Sequence, residues 1–181
     1  ASGTYGQCRV AAAIVGHADL TLGEAVRPVL ERLIAAAGGT TRAGGRLSGI
    51  RQPLCWDDDS VLLNPAYPTT IDMTDSPSFR AGFAQLAPLG LSFESWAFFH
   101  QLSDIARLAR AFPETPIVIN HCGGVVRVRN YASPGAIDKR WQHGIDEVAA
   151  CPNVSIKLSG LGMRLSGFGF EERAGPPSSV W

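Results

Sequence analysis

Five short apolar runs, most of them parted by helix-like stretches, constrain this chain more than any other feature. They are 10–15 (VAAAIV), 47–51 (LSGIR), 91–99 (LSFESWAFF), 116–120 (PIVIN) and 153–158 (NVSIKL). Strand and helix alternating at roughly 20 to 40 residue intervals means βα units and a parallel sheet. The unbroken run Ile117, Val118, Ile119 fits a strand buried on both faces, as such sheets require. Val26, Val29, Leu30, Leu33, Ile34 and Ala37 follow helical spacing up to a stop at Gly38 and Gly39. Thr21 and Glu24 form a candidate capping box, with Pro28 breaking or bending the early helix. Further helices are expected over 78–89, from Leu102 to Phe112 and over 137–150. The polar, Pro-rich stretch 52–76 is long for a loop in a compact domain, and such loops are usually functional or disordered. From Leu161 onward the many glycines also read as loop.

Two architectures satisfy this pattern: a doubly wound open sheet or a (β/α)8 barrel. No G-x-G-x-x-G or G-x-x-x-x-G-K-[ST] follows any strand, which weakens the nucleotide-binding open sheet. A barrel needs eight units in about 250 residues, and only five are visible in these 181 residues. The barrel therefore implies a chain truncated at both ends. Residue 1 is Ala, and RAGPPSSVW stops at Trp181 just where a new helix would start.

Composition excludes several partners. The 45% hydrophobic content is enough for a sizeable core, and the formal charge is zero. Nucleic acid and anionic membranes call for a basic surface, so neither is an expected partner. No run of 18 apolar residues exists, so no membrane span is expected. The four cysteines, Cys8, Cys55, Cys122 and Cys151, form no C-x-x-C pair. That spacing argues against a zinc knuckle and for a reduced, cytoplasmic setting.

Both architectures put ligands at the carboxyl ends of the strands. His17 and Asp19 follow the first run, Arg51 ends the second, His100 follows the third, His121 ends the fourth and Lys157 lies in the fifth. Three of the four histidines fall at these ends; His143, in a helical segment, is the exception. His121 either does chemistry or bonds a neighbouring carbonyl at the strand end. His100 is either a helix N-terminal residue or a ligand through its neutral imidazole. Arg51 either pairs with a carboxylate inside the barrel or grips a substrate carboxylate with its planar fork. Lys157 divides evenly between the two faces of its strand. His17 and Asp19 read as part of a loop leading to a helix cap. Trp96 and Phe98 read as packing, and Cys122 as an inert thiol.

GIR at 49–51, FESWAFFHQL at 93–102, PIVINHCGG at 116–124 and NVSIKLSGLG at 153–162, together with IVGHADLTLGEAVRPVLE at 14–31, resemble the amidohydrolase-related family. This is the branch that holds pyrone-dicarboxylate lactonases, sugar lactonases and aminocarboxymuconate-semialdehyde decarboxylases. The resemblance covers nearly the whole chain and implies a (β/α)8 TIM-type barrel, incomplete here, with strands 3 to 7 present and strands 1, 2 and 8 lacking. Residues 1–181 would then be one partial barrel domain. By the same resemblance His100 is a metal ligand, His121 the catalytic residue that activates water or orients a carbonyl, and Arg51 and Lys157 substrate-binding cations. Lys157 departs from the lactonase pattern, which puts dicarboxylate specificity in doubt. A divalent metal, zinc first, is implied, with a metal-free mode open because some lactonases of this branch rely on arginines instead. The family's H-x-H pair and its strand-eight Asp are absent from this sequence.

The expected activity is hydrolysis of a lactone, cyclic ester or amide by the parent enzyme, on a small-molecule substrate. The alternatives are a non-oxidative decarboxylase on the same barrel, or an inactive remnant or binding module. Three missing units would leave open edges and an unclosed core, so the chain alone is expected to bind metal weakly and to lack turnover. A homo-oligomer is compatible with all of this.

Overall fold

The computed structural model describes residue 6, residues 10–133, residue 135 and residues 137–175. Cys8, the end of the RAGPPSSVW stretch and Trp181 lie outside the described residues. Five strands, β1 (Ile14–His17), β2 (Leu47–Pro53), β3 (Ser92–Trp96), β4 (Ile117–Ile119) and β5 (Val154–Ile156), form one sheet. Every neighbouring pair is parallel, and the spatial order is β1-β2-β3-β4-β5. A doubly wound sheet reverses its strand order at a switch point. This sheet has no reversal, and its unbroken progression is that of a barrel wall.

Helices α1 (Arg27–Ala36), α2 (Pro77–Phe83), α3 (Leu102–Ala111) and α5 (Asp138–Ala149) make the return crossings, and α4 (His121–Gly124) is a single turn after β4. Alternate strand residues face these helices. Ile50, Phe93, Ile117 and Ile119 are fully buried there among Leu30, Phe79, Phe83, Leu102 and Ile105. On α3 the buried positions Leu102, Ile105, Ala106, Leu108 and Ala109 fall on one stripe, the 3.6-residue pattern of a helix packed on a sheet. The ring of Phe83 lies 4.9 Å from Phe112 and 5.1 Å from Phe93, both centroid to centroid. The opposite face of the sheet carries Arg51, Glu94 and Val118, and it is polar where the helical face is oily.

The elements arise in the expected order, with shifted ends. β1 starts at Ile14, not at Val10, and continues to His17. The helix after it opens with a 3-10 segment (Leu20–Val26) capped by Asp19, whose carboxylate accepts from Thr21 N at 2.9 Å, so Asp19 and not Thr21 is the cap. Pro28 opens α1, where its missing N–H costs nothing. α2 ends at Phe83 and a 3-10 turn, Ala87–Leu89, completes the crossing. β3 stops at Trp96, because Phe98 and Phe99 leave the sheet to fill a second apolar cluster with Leu62 and Val126. β5 stops at Ile156, so Lys157 stands just beyond its strand. The long loop 52–76 holds two 3-10 turns, Ser60–Leu62 and Met73–Asp75. No described helix is long and apolar enough to cross a membrane.

Phe83→Ala is expected to cost about 3–5 kcal/mol, the range for removing a fully buried phenylalanine. Urea unfolding checks it: the midpoint should fall with the slope unchanged.

Candidate active site

The carboxyl ends of β1, β2 and β3 and the segments after β4 and β5 surround an open cleft of about 530 Å³. Its walls include His17, Arg51, Tyr67, Trp96, His121 and Met163. Parallel register explains the convergence, since His17 stands beside Arg51 and Arg51 beside Glu94 on successive strands. Tyr67 is delivered by the long loop, and its ring meets the His17 ring edge to face at 5.6 Å.

Glu94 is the electrostatic centre. It is 5% exposed, and each of its oxygens is taken by a different cation. Arg51 Nε donates to Oε2 at 3.0 Å, its Nη2 donates to the same atom, and Lys157 Nζ donates to Oε1. Arg51 Nη2 also reaches Asn120 Oδ1 at 3.4 Å. Burial pushes the Glu94 carboxyl up, but the hydrogen bonds and charges of Lys157 and Arg51 outweigh it and hold the group below the usual glutamate range. The two cations are about two-fifths exposed, and the three groups together carry one net positive charge.

His121 stands on an unusual backbone. His121 and Cys122 have φ of 55° and 54°, and Gly123 and Gly124 follow at 80° and 65°. Four successive left-handed residues turn the chain sharply off β4, and for the two side-chain-bearing residues this conformation is strained. Gly124 is required by proximity as well: a Cβ there would lie 1.8 Å from the Ala97 carbonyl oxygen. The turn is tied to the segment after β5 by Cys122 N, which donates to Lys157 O at 2.9 Å. The His121 ring lies edge to face on Trp96 at 4.9 Å, and its Nδ1 is 3.1 Å from Ser159 Oγ. Partial burial, then the charges of Arg51 and Lys157, hold this imidazole below the usual histidine range, so it is neutral at neutral pH. His17 directs Nδ1 at the Arg51 carbonyl at 2.9 Å. A ring nitrogen facing a carbonyl oxygen carries the proton, so the Nε2 of neutral His17 bears a lone pair.

His100 sits elsewhere. It is absent from the cleft wall and packs between Phe99 and Tyr131, with Nε2 3.0 Å from the Trp56 carbonyl oxygen and 3.7 Å from Asp57 Oδ2. Tyr131 donates to the same Asp57 oxygen at 2.7 Å. Gln101 receives Trp56 N and Phe98 N on its side-chain oxygen and donates to Leu54 O. These bonds anchor the start of the long loop. His100 Nδ1 is buried without a partner, which makes it one donor atom of the kind a metal takes. It is not a complete seat. Among the described residues no group of three or more His, Cys, Asp or Glu side chains converges to hold an ion, so the residues present do not by themselves fit a metal.

The structure thus brings Arg51, His121 and, through Glu94, Lys157 together, and sets His100 apart. Trp96 packs on the second apolar cluster as expected and also lines the cleft, while sequence patterns alone did not place His17, Tyr67 or Met163 on the cleft wall or pick out Glu94. Glu94 had a signal in its alternation with Ser92 and Trp96, which puts it on the face that bears Arg51. Cys122 is buried, and His143 is exposed on α5 near Glu147.

A family model described as amidohydrolase (Amidohydro_2) matches residues 7–180. Two crystal structures of an amidohydrolase from Burkholderia multivorans, one with bound HEPES and one with bound zinc, each align with a TM-score of 0.59 at 27% identity. Each alignment covers 83% of this chain, and 45% and 44% of theirs respectively. The uncharacterized protein y4mH of Sinorhizobium fredii (strain NBRC 101917 / NGR234) is 32% identical over 115 residues, which is 64% of this chain and 36% of that protein. The chain spans less than half the length of these relatives.

Glu94→Gln is expected to destabilise the fold by about 1–3 kcal/mol at pH 7, less than for a fully buried pair because both cations reach water. Since the folded carboxyl ionises more readily than the unfolded one, its stabilisation is full above about pH 4.5 and is lost as pH falls through the lowered folded value. The gap in urea midpoint between wild type and variant should therefore be smaller at pH 3 than at pH 7. An equal gap at both would assign the loss to packing.

Proposed function

The chain belongs to the amidohydrolase family, and from that premise we propose that it contributes to the hydrolysis of a lactone, or of a related cyclic ester or amide. One observation carries this. A guanidinium, Arg51, and an imidazole held neutral, His121, face the same cleft at the carboxyl ends of a barrel wall. Carbonyl hydrolysis needs both: a cation for the oxygen that gains negative charge, and a base for the proton of the attacking water. Glu94 occupies Nε and Nη2 of Arg51 and leaves Nη1 for another acceptor. Lys157 adds a second positive charge, suited to a carboxylate elsewhere on the substrate. Water adds to the carbonyl carbon and gives up a proton to His121. The ring C–O or C–N bond then breaks, and the leaving atom takes that proton to give the open-chain acid. Tyr67, Trp96 and Met163 add apolar surface to the wall.

The zinc in the Burkholderia structure supports a divalent ion, zinc first, for this family. His100 is the residue of this chain assigned to it by resemblance. A metal acts in such sites by polarising a carbonyl and by lowering the pKa of bound water. Turnover is proposed for the closed eight-unit barrel, of whose wall the described residues form five strands.

With the closed barrel and a panel of lactones, acid release without carbon dioxide is the expected result; carbon dioxide without net hydrolysis would make the enzyme a decarboxylase. His121→Asn should lower kcat about 10²- to 10⁴-fold with the protein still folded. Arg51→Met should lower kcat/KM by about 10²-fold. The acid limb of the pH–rate profile should fall below the ordinary histidine value of 6.5, because the ring must be neutral to act and its proton affinity is depressed. Unchanged turnover in His121→Asn would remove this residue from the reaction.

A further inference from the structure

The loop after β5 forms a seat for His121, and we propose that Ser159 is a positioning residue that fixes the ring's tautomer, its hydroxyl accepting from Nδ1–H so that the Nε2 lone pair is left for the cleft. The inference rests on the reading of His121 as the proton acceptor, and it assigns a role to a residue outside the cleft wall.

The seat is built from close approach. A Cβ at position 160 would lie 2.5 Å from His121 Cβ, 2.6 Å from Cγ and 2.7 Å from Nδ1, and Gly160 itself has a φ of 78°. Any other residue there would displace the ring. Gly160 is held in turn through its carbonyl, which accepts from Met163 N and from Ser166 Oγ, both at 3.1 Å. Ser166 is 1% exposed, so this clamp is sheltered from water. On another side the ring meets Trp96. The backbone bond from Cys122 N to Lys157 O keeps the two segments in register. Within this seat Ser159 Oγ stands 3.1 Å from Nδ1.

A hydroxyl can donate or accept, so the contact alone does not choose between the tautomers. The charges do. Arg51 and Lys157 both act on this ring, and Arg51 lines the cleft with it. A neutral imidazole is a dipole with its negative end at the bare nitrogen, so a ring that turns its bare nitrogen to the cleft it shares with Arg51 keeps its proton for the Ser159 hydroxyl. The carboxylate of Glu94, the nearby anion, has both oxygens occupied by those same two cations. The proton is therefore left on Nδ1, facing Ser159. The tautomer of a histidine is set by the bond its other nitrogen makes, and here that bond selects a base rather than a donor for the cleft.

The full chain labelled with ¹⁵N-histidine, at a pH where the ring is neutral, gives the test by long-range ¹H–¹⁵N correlation. The His121 signals, identified by their loss in His121→Asn, should show a pyrrole-type Nδ1 and a pyridine-type Nε2. Ser159→Ala should shift the ring towards the Nε2–H form that free histidine prefers, and Ser159→Thr should restore the wild-type pattern. Ser159 is exposed, so neither change touches the core. An Nε2–H ring in the wild type, or an alanine variant with an unshifted ring, overturns the proposal. The readout needs no substrate, so a fixed Nδ1–H ring in a protein without lactone hydrolysis would uphold the seat and sink the reaction.

Discussion

One buried carboxylate organises the inner face of this sheet. Glu94 on β3 holds Arg51 on β2 with one oxygen and Lys157, just past β5, with the other. Without it, Arg51 and Lys157 would lose the anion they share. With it, they are fixed, partly neutralised and still two-fifths open to water. The same pair of charges disfavours a proton on His121. Partial burial of the ring is the larger cause of its neutrality, and the two cations that Glu94 fixes add to it.

The two faces of the sheet divide the labour. Phenylalanine and isoleucine on the helical face supply the burial that stabilises the units. The inner face contributes less to burial and is free to be polar. A fully filled barrel interior would be a packed core; here the strand ends open onto a cleft. The long loop serves both sides. Asp57, Tyr131 and Gln101 pin its start beside His100, while its tip brings Tyr67 to His17.

Periodicity revealed the five units and their order, because apolar runs long enough to be strands had only a parallel, helix-covered sheet to bury them. Strand ends were harder to place. The alanines before Ile14 satisfy a hydrophobic count but have no preference for a sheet. Phe98 and Phe99 are apolar enough for β3 yet are drawn away to another cluster. In the candidate site, strand-end position alone marked His121 and Arg51. His17 was masked by a helix-capping pattern that is also real, with Asp19 as the cap. Tyr67, Ser159 and Gly160 had no local signal, since their roles exist only where separate segments meet.

The left-handed turn after β4 has an evolutionary reading. Glycine adopts positive φ without the cost that a side chain brings, so the backbone at 121 would be more comfortable with it. Histidine there is a standing concession of stability. A copy of this sequence under no selection for that ring would have a thermodynamic incentive to lose the side chain early, and its drift would leave the hydrophobic packing intact while emptying the cleft wall of its imidazole.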